Sequence, residues 1–181
     1  MDGPPDQPTA PQVFELGSLP KKEELSADLR LQLSQECGCA LVFIDLDRFK
    51  EVNDTKGHAV GDICLGAVVK AIGGVVGRKG KVYRWGGDEF AFVLPDFSTG
   101  EAMATAERAR RAIEESKSGG DIPVTASVGV CGTDLLPDAT AEALLKAADE
   151  AMYTAKRGGK NRVAQWSQEE TLVTADSEPN P

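Results

Sequence analysis

Apolar residues recur along this chain with two different spacings. In three segments they return every three or four positions, which is typical of helices with one buried face, and these segments are 22–36, 58–73 and 141–157. Ser98 and Glu101 have capping-box spacing and predict a fourth helix over 98–116. Shorter runs of apolar and β-branched residues predict strands at 40–46, 81–85, 89–94, 122–131 and 161–166. The resulting order contains a βαββαβ core, which predicts an α+β fold whose mostly antiparallel central sheet is flanked by helices.

The two ends of the chain differ in composition from the segment between them. Residues 1–12 are rich in proline and contain two acidic and no basic residues, and residues 167–181 contain four acidic and no basic residues. We expect both ends to be disordered and residues 13–166 to form the folded domain. The net charge is −9 for the 181 residues and −3 for residues 13–166. This charge argues against a nucleic-acid partner but permits a nucleotide whose phosphates are offset by cations.

Further features of the sequence bear on its compartment. No run of apolar residues approaches the ~20 positions needed to cross a bilayer, and the N-terminus lacks the basic and apolar regions of a signal peptide. The four cysteines have neither the paired spacing of a zinc site nor the pattern of a disulfide scaffold. We therefore expect a cytoplasmic protein with reduced thiols and no membrane partner.

Acidic residues occur at two places where charge is costly or the backbone is unusual. Asp45 ends an apolar strand, and Asp88 and Glu89 follow Gly86 and Gly87 in the turn of a hairpin. If the strand and the hairpin are neighbours, these carboxylates meet at one edge of the sheet, and carboxylates together with substrate phosphates are the ligands Mg²⁺ prefers. Either feature alone favours a structural interpretation, a helix cap or a tight turn, whereas the two together favour a metal site.

Four segments resemble one known family. The sequence RWGGDEFAFVLP at Arg84–Pro95 resembles the GGDEF signature of diguanylate cyclases, and FIDLDRFKEVNDTKGHAVGD at Phe43–Asp62 resembles the family's metal and guanine segment. Two later segments, TASVGV at Thr125–Val130 and ADEAMYTAKRGGKNRV at Ala148–Val163, also match. The resemblance implies a fold like the palm of polymerases and class III nucleotidyl cyclases. It also implies that the chain joins two GTP molecules into cyclic di-GMP.

The resemblance further implies roles for individual residues around the metal site. Asp45 and Asp88 would bind two Mg²⁺ or Mn²⁺ ions with the backbone carbonyl of Leu46, and Glu89 would contact or polarise the ribose 3′-hydroxyl. Arg84 would reach phosphate.

A second group of residues would bind the substrate. By resemblance, Asn53 and Asp62 would recognise guanine, whose donors suit an amide and a carboxylate. The remaining binding residues would contact the phosphates through backbone N–H groups or charge, and they are Arg48, Phe49, Lys50, Gly86, Gly87, Lys156 and Lys160. Structural alternatives remain open, because Asp62 could cap a helix and the two lysines could form an ordinary solvated helix end. We interpret His58, the single histidine, as a structural loop residue.

The sequence departs from the family pattern at three places. Lys160 stands where the family usually has arginine, which keeps the charge and loses bidentate geometry. The family's opening motif resembles DxLTGLPNR, whereas this chain has VFELGSLPKK at Val13–Lys22, and this puts the usual coupling to an upstream helix in doubt. The inhibitory RxxD motif is replaced by Gly77-Arg78-Lys79-Gly80. We therefore expect the primary inhibitory product site to be missing.

The mechanism implied by the resemblance requires two copies of the chain. Each copy would hold one GTP with two metal ions, and two-fold pairing would place each 3′-oxygen at the α-phosphorus of the other GTP. Two pyrophosphates would be released, and an unidentified sensor or regulatory partner could drive the pairing. Alternatives are an inactive module that binds GTP or a dinucleotide, a cyclase that uses ATP, and a structural interaction domain.

Overall fold

The computed structural model describes residues 14–35, 38–136 and 138–168 of the chain. The expected disordered segments 1–12 and 167–181 lie outside these residues, apart from Ser167 and Gln168. Three cysteines in the described part are buried free thiols, namely Cys39, Cys64 and Cys131.

The described residues form helices and strands in the order expected, with one additional helix. The helices are α1 Lys22–Ser34, α2 Phe49–Lys56, α3 His58–Val76, α4 Thr99–Glu115 and α5 Ala141–Arg157. The strands are β1 Cys39–Asp47, β2 Lys81–Arg84, β3 Glu89–Pro95, β4 Thr125–Gly132 and β5 Arg162–Gln165.

Helix α2 is the element that the sequence pattern did not predict. It has only eight residues, and only Phe49 and Val52 are buried in it, so its apolar spacing is too short to recognise. The residue before it, Arg48, has a left-handed backbone with φ 64°. This conformation ends β1 abruptly and starts the helix at once, where the sequence suggests only a loop.

The five strands form one sheet in the order β2-β3-β1-β4-β5. Strand β1 is central and pairs antiparallel with both β3 and β4, while β2 pairs antiparallel with β3. The pairing of β4 with β5 is parallel. The expected α+β fold with a mostly antiparallel sheet is therefore confirmed.

Both faces of the sheet are covered, which explains why β1 is apolar throughout. On one face its even-numbered residues from Ala40 to Leu46 pack in a core with α3 and α4. On the other face Leu41 and Phe43 pack against residues of α1 and α5. A strand buried on both sides cannot alternate between apolar and polar residues, and Asp45 and Asp47 are therefore exceptions that need partners.

Helix α3 has the length and composition of a membrane span. The segment His58–Lys79 has 22 residues and a mean hydropathy of 1.8 in its most apolar window, although Asp62 and Lys70 divide it into apolar runs shorter than the ~20 positions that cross a bilayer. Its buried side chains, including Val68 and Ile72, belong to the core beneath the sheet. This packing accounts for the apolar composition of the helix within the domain.

The segment before α1 packs across the domain although it lacks the family's opening residues. The Phe14 ring lies over Gly73 of α3, where a Cβ atom would overlap it. Further along, the carbonyl of Pro20 accepts a hydrogen bond of 2.8 Å from the N–H of Arg84. Residues 14–20 therefore connect α3 with the strand that leads into the glycine turn.

Helix α5 approaches the sheet most closely at Gly129 of β4. A Cβ atom on Gly129 would overlap the carbonyl oxygen of Ala148 and the backbone of Met152. The absent side chain thus lets the α5 backbone lie directly on β4. This contact determines how the later turns of α5, which carry Lys156, reach the end of β1.

We predict that Gly129→Ala destabilises the domain by roughly 2–3 kcal/mol, because α5 must move away from β4 to make room for the methyl group. The free energy of unfolding in urea measures this effect. Gly74→Ala is the matched control, since Gly74 is an exposed position of α3 with nothing within 4 Å of a Cβ atom. The control should be stabilised by roughly 0.5–1 kcal/mol, and equal effects of the two substitutions would contradict the packing argument.

Candidate active site

The end of β1 and the start of β3 lie side by side. Asp45 is the register partner of Glu89, and the N–H of Leu46 donates a hydrogen bond of 3.2 Å to the carbonyl of Asp88. The backbone pairing therefore brings Asp45, Asp88 and Glu89 to one edge of the sheet. This is the juxtaposition on which the sequence-based metal hypothesis depends.

The glycine turn between β2 and β3 is held by Arg84. Its guanidinium donates hydrogen bonds of 3.1 and 3.0 Å to the carbonyls of Gly86 and Gly87. The carbonyl of Glu89 accepts from the N–H groups of Trp85 and Gly86 at 2.9 and 3.1 Å. In this structure Arg84 therefore fixes the shape of the turn, while it also lines the adjoining cleft.

Lys156 of α5 pairs with Asp45 at the edge of the sheet. Its ammonium nitrogen lies 2.8 Å from the Asp45 carboxylate, whose side chain is only 16% exposed. The sequence-based prediction assigned Lys156 to substrate phosphate. In the structure it pairs with the Asp45 carboxylate, so that a protein cation offsets part of the negative charge at this edge, and its contact with phosphate stays a prediction.

Burial and neighbouring negative charge both disfavour ionisation of Asp45 and Glu89. Burial raises the pKa of Asp45, against the opposing effect of Lys156, and the charges of Asp88 and Asp47 add to the rise. The pKa of Glu89 is also raised, first by burial and then by the charges of Asp45 and Asp88. Burial opposes the protonated form of Lys156, but its bond to Asp45 leaves its pKa raised. The site thus concentrates negative charge that Lys156 alone does not neutralise.

A cleft of about 280 Å³ adjoins these carboxylates. Its walls come from α2, α3 and the glycine turn, and the lining residues are Phe49, Lys50, Asn53, His58, Asp62, Leu65, Arg84, Gly87 and Asp88. The structure therefore brings both expected guanine-binding residues, Asn53 and Asp62, into the same cleft as Asp88. The volume is close to the lower end of ligand pockets, which is roughly 300 Å³.

The position of Asn53 depends on a glycine in the neighbouring helix. A Cβ atom on Gly61 would overlap the Oδ1 atom of the Asn53 side chain. The first turn of α3 can therefore approach α2 closely enough for Asn53 and Asp62 to line one cleft.

The remaining predicted binding residues lie on two turns. Arg48, Phe49 and Lys50 form the start of α2, where the N–H groups of a helix have no acceptors within the helix. The Arg48 side chain binds Glu51 at 2.8 Å. Lys160 lies on the exposed turn after α5 with a left-handed backbone, φ 62°.

Three features of the site were not predicted as functional. His58 is the first residue of α3 and lines the cleft, whereas we interpreted it as a structural loop residue. Asp149 of α5 acts electrostatically on Glu89. Asp47 is 4% exposed and accepts hydrogen bonds from Thr125, Ser127 and Asn161. Its spacing of two from Asp45 is the one sequence signal for this residue, because strand residues at i and i+2 share a face.

Within the described ranges, no group of three or more His, Cys, Asp or Glu side chains has the arrangement of a self-contained metal centre. Asp45 and Asp88 place two carboxylates beside the Leu46 backbone. Together these groups form a partial set of hard oxygen donors. Such a set suits a cation that takes its other ligands from water and phosphate.

We predict that Lys156→Met lowers the free energy of unfolding by roughly 1–2 kcal/mol at pH 7, because Asp45 loses its counter-charge. The folded-state pKa of Asp45 is already raised, first by burial, and the loss of Lys156 raises it further. The difference in free energy of unfolding between variant and wild type should therefore shrink as the pH falls through the pKa of Asp45. Urea unfolding at several pH values measures this. Lys146→Met is the control, because Lys146 is 75% exposed and 3.7 Å from Glu150. A deficit that does not depend on pH would contradict the prediction.

Comparison with known sequences identifies relatives of the chain. The family model described as "Diguanylate cyclase, GGDEF domain" matches residues 16–162. Diguanylate cyclase DosC of Escherichia coli K12 is 44% identical over 131 residues, which are 70% of this chain and 28% of that protein. Response regulator PleD of Caulobacter vibrioides is 36% identical over 154 residues, which are 82% of this chain and 32% of that protein. The chain thus spans about a third or less of these relatives.

Comparison with solved structures gives the same family. The active GGEEF domain of a diguanylate cyclase from Vibrio cholerae has a TM-score of 0.76 at 28% identity and covers 83% of this chain and 99% of that one. The GGDEF domain of PA1120 from Pseudomonas aeruginosa has a TM-score of 0.74 at 32% identity, with 84% and 99% covered. The matched signature, the fold and the convergent carboxylates agree, and the chain belongs to the GGDEF domain family of diguanylate cyclases.

Proposed function

We propose that this domain condenses two GTP molecules into cyclic di-GMP with release of two pyrophosphates. The observation that carries the proposal is the position of Asp45, Asp88 and Glu89 at one sheet edge, beside a cleft lined by Asn53 and Asp62. Such an arrangement can hold the base in the cleft while its phosphates lie near the carboxylates.

Asp45, Asp88 and the carbonyl of Leu46 would hold two Mg²⁺ or Mn²⁺ ions. In a strand the N–H and C=O of one residue point the same way, and the N–H of Leu46 points to Asp88, so its carbonyl is on the side of the carboxylates. The raised pKa of Asp45 reflects the burial and negative charge that a cation would offset. When bound, the ions would polarise phosphoryl oxygens and stabilise charge that develops during displacement.

The cleft residues fit guanine. The N1–H and N2–H₂ groups of guanine are donors that match the carboxylate of Asp62, and the Asn53 amide can both donate and accept. A carboxylate faces the N1 acceptor of adenine unfavourably, which supports GTP over ATP. His58 and Leu65 complete the wall of the cleft on α3.

The residues around the phosphates would orient the triphosphate and the ribose. Backbone N–H groups at Arg48, Phe49 and Lys50 would bind phosphate oxygens. Glu89, with its raised pKa, would accept a hydrogen bond from the 3′-hydroxyl. Lys160 and Lys156 would neutralise the phosphate tail, and most of the rate enhancement would come from positioning and electrostatic stabilisation.

The product requires two active sites to face each other. Cyclic di-GMP has two-fold symmetry, so a two-fold homodimer would place each 3′-oxygen at the α-phosphorus of the opposite GTP. Asp88 and Glu89 are only half-buried at the sheet edge, and this leaves room for substrate held by a second copy. Diguanylate cyclase SiaD of Pseudomonas aeruginosa has been solved with its activator SiaC, and a regulatory partner of this chain would act by promoting the homodimer.

Two further expectations complete the proposal. The domain would act in the cytoplasm, where GTP is available, without nucleic acid or membrane as partners.

The second expectation concerns binding of the product. The GGDEF domain of DgcB from Caulobacter crescentus has been solved with c-di-GMP. In this chain Gly77–Lys79 form a 3₁₀ turn without an acidic residue, so we expect no inhibitory site of the RxxD type.

We predict that the purified chain converts GTP into cyclic di-GMP with Mg²⁺ or Mn²⁺, and that Asp88→Asn lowers the rate by roughly 10²–10³-fold because a metal ligand is lost. Chromatography of the nucleotides measures product formation. Glu142→Gln is the control, since this carboxylate is 65% exposed and pairs with Arg30 of α1. Binding of GTP by the wild type without product formation would contradict catalysis. It would favour the inactive binding module, the alternative that the altered opening motif suggests.

We also predict that the specific activity rises with protein concentration, because the reaction needs two copies of the domain. Below the dissociation constant of the dimer, the total rate should scale with about the square of the protein concentration. Initial rates over a hundredfold range of concentration, with the oligomeric state measured in parallel, test this. A constant specific activity for a protein shown to be monomeric would contradict the dimer.

A further inference from the structure

We propose that Asp47 is a positioning residue that holds the turn carrying Lys160 against the end of β1. The inference rests on the proposed function, in which Lys160 binds the phosphate tail of GTP. It assigns the buried carboxylate of Asp47 a role distinct from that of Asp45, which stands two residues earlier on the same strand.

The contacts of Asp47 join three elements of the fold. One carboxylate oxygen accepts hydrogen bonds from the Thr125 hydroxyl at 2.8 Å and from the backbone N–H of Asn161 at 3.0 Å. The other oxygen accepts from the Ser127 hydroxyl at 2.8 Å. With the side chain 4% exposed, these bonds replace the water that a carboxylate normally requires. Asp47 thus connects the end of β1 with β4 and with the turn after α5.

The turn that Asp47 holds has a strained backbone. Lys160 and Asn161 both have left-handed conformations, with φ 62° and 44°. Two consecutive residues with side chains rarely adopt this conformation, because Cβ approaches the following carbonyl. The turn therefore needs contacts from outside itself, and the bond between Asp47 and the Asn161 backbone supplies one.

A second set of contacts holds the side chain of Asn161. Its Oδ1 atom accepts from Arg110 of α4 at 2.5 Å, and its Nδ2 atom donates to Glu114 at 2.9 Å. Arg110 is only 11% exposed and is itself paired with Glu107 and Glu114 at 2.9 and 2.8 Å. The backbone and the side chain of Asn161 are therefore both restrained, by different partners.

The consequence concerns Lys160, which directly precedes Asn161. A lysine on a mobile turn loses both backbone and side-chain entropy when it binds phosphate, whereas a lysine on a turn already held in place loses only side-chain entropy. Asp45 and Asp47 stand at the same end of β1. This strand end therefore positions both the metal-binding carboxylate and, through Asp47, the phosphate-binding lysine. Asp47 thereby keeps the spacing between these two parts of the site.

The central test compares Asp47→Ala with Asp47→Asn. The alanine variant removes the acceptor for the Asn161 N–H, so KM for GTP should rise roughly tenfold with a smaller change in kcat. The asparagine variant can turn its amide oxygen to Thr125 and Asn161 and donate its amide nitrogen to Ser127, whose hydroxyl can accept. It should therefore restore most of the lost affinity. Equal damage by both variants would overturn the proposal and assign the effect to the negative charge.

A double-mutant cycle asks whether Asp47 acts through Lys160. If it does, Asp47→Ala should change KM by less than about twofold in a Lys160→Ala background. A full effect in that background would overturn the proposal. Asp134→Ala is the matched control, because Asp134 also accepts from a backbone N–H and a hydroxyl, both of Thr99, at the opposite end of β4. It should reduce stability without raising KM.

Hydrogen exchange separates this inference from the proposed function. The amides of residues 158–162 should exchange faster in Asp47→Ala than in the wild type, and unchanged protection with unchanged GTP affinity would overturn the inference. The absence of cyclic di-GMP from wild-type reactions would instead refute the proposed function. If Asp47→Ala does not fold, Thr125→Val combined with Ser127→Ala gives the same exchange and KM readouts, since it removes the two hydroxyl donors that hold the Asp47 carboxylate in place.

Discussion

The backbone pairing of β1 with β3 is the constraint on which the rest of the site depends. It places Asp45 opposite Glu89 and beside Asp88, although burial, and then the charge of neighbouring carboxylates, raises the pKa of Asp45 and Glu89. The repulsion is sustained because β1 is paired along both edges and buried on both faces. Lys156 offsets part of the charge. The stability of the sheet thus maintains a concentration of negative charge that isolated side chains would avoid.

The two faces of β1 contribute different parts of the site. On the side of α2 and α3, the absent side chain of Gly61 lets Asn53 lie against the next helix and shapes the cleft. On the side of α5, Gly129 lets the helix backbone rest on β4 and brings Lys156 to the sheet edge. At Gly61 a side chain lies against the helix backbone, and at Gly129 two backbones lie against each other, so a Cβ atom at either glycine would displace its neighbour. The site is therefore assembled from two separate helix layers, and the strand between them sets their relative position.

Local patterns in the sequence were sufficient for most of the fold but not for the partners within the site. Helical and strand periodicity predicted every strand and the longer helices, whereas α2 was missed because its only buried residues are Phe49 and Val52. The hydrogen bonds of Asp47 join residues 78 to 114 positions apart, and no local pattern specifies such contacts. For the same reason the sequence could suggest that Lys156 is functional without revealing that it pairs with Asp45.

The pairing of Lys156 with Asp45 also clarifies how a site of this charge can exist before substrate arrives. Under the proposed function, cations would neutralise Asp45 and Asp88, and the Lys156 ammonium would then be better placed beside phosphate oxygens than beside a carboxylate that is already compensated. Lys156 lies at the end of α5, where the helix dipole favours a cation in either position. Asp47 and the Asn161 turn do not share this freedom, because Asp47 is buried and Asn161 is held through both its backbone and its side chain. Under the proposed function, the site would combine one charge that changes partner with a frame held by hydrogen bonds, and that frame would set where the phosphates lie.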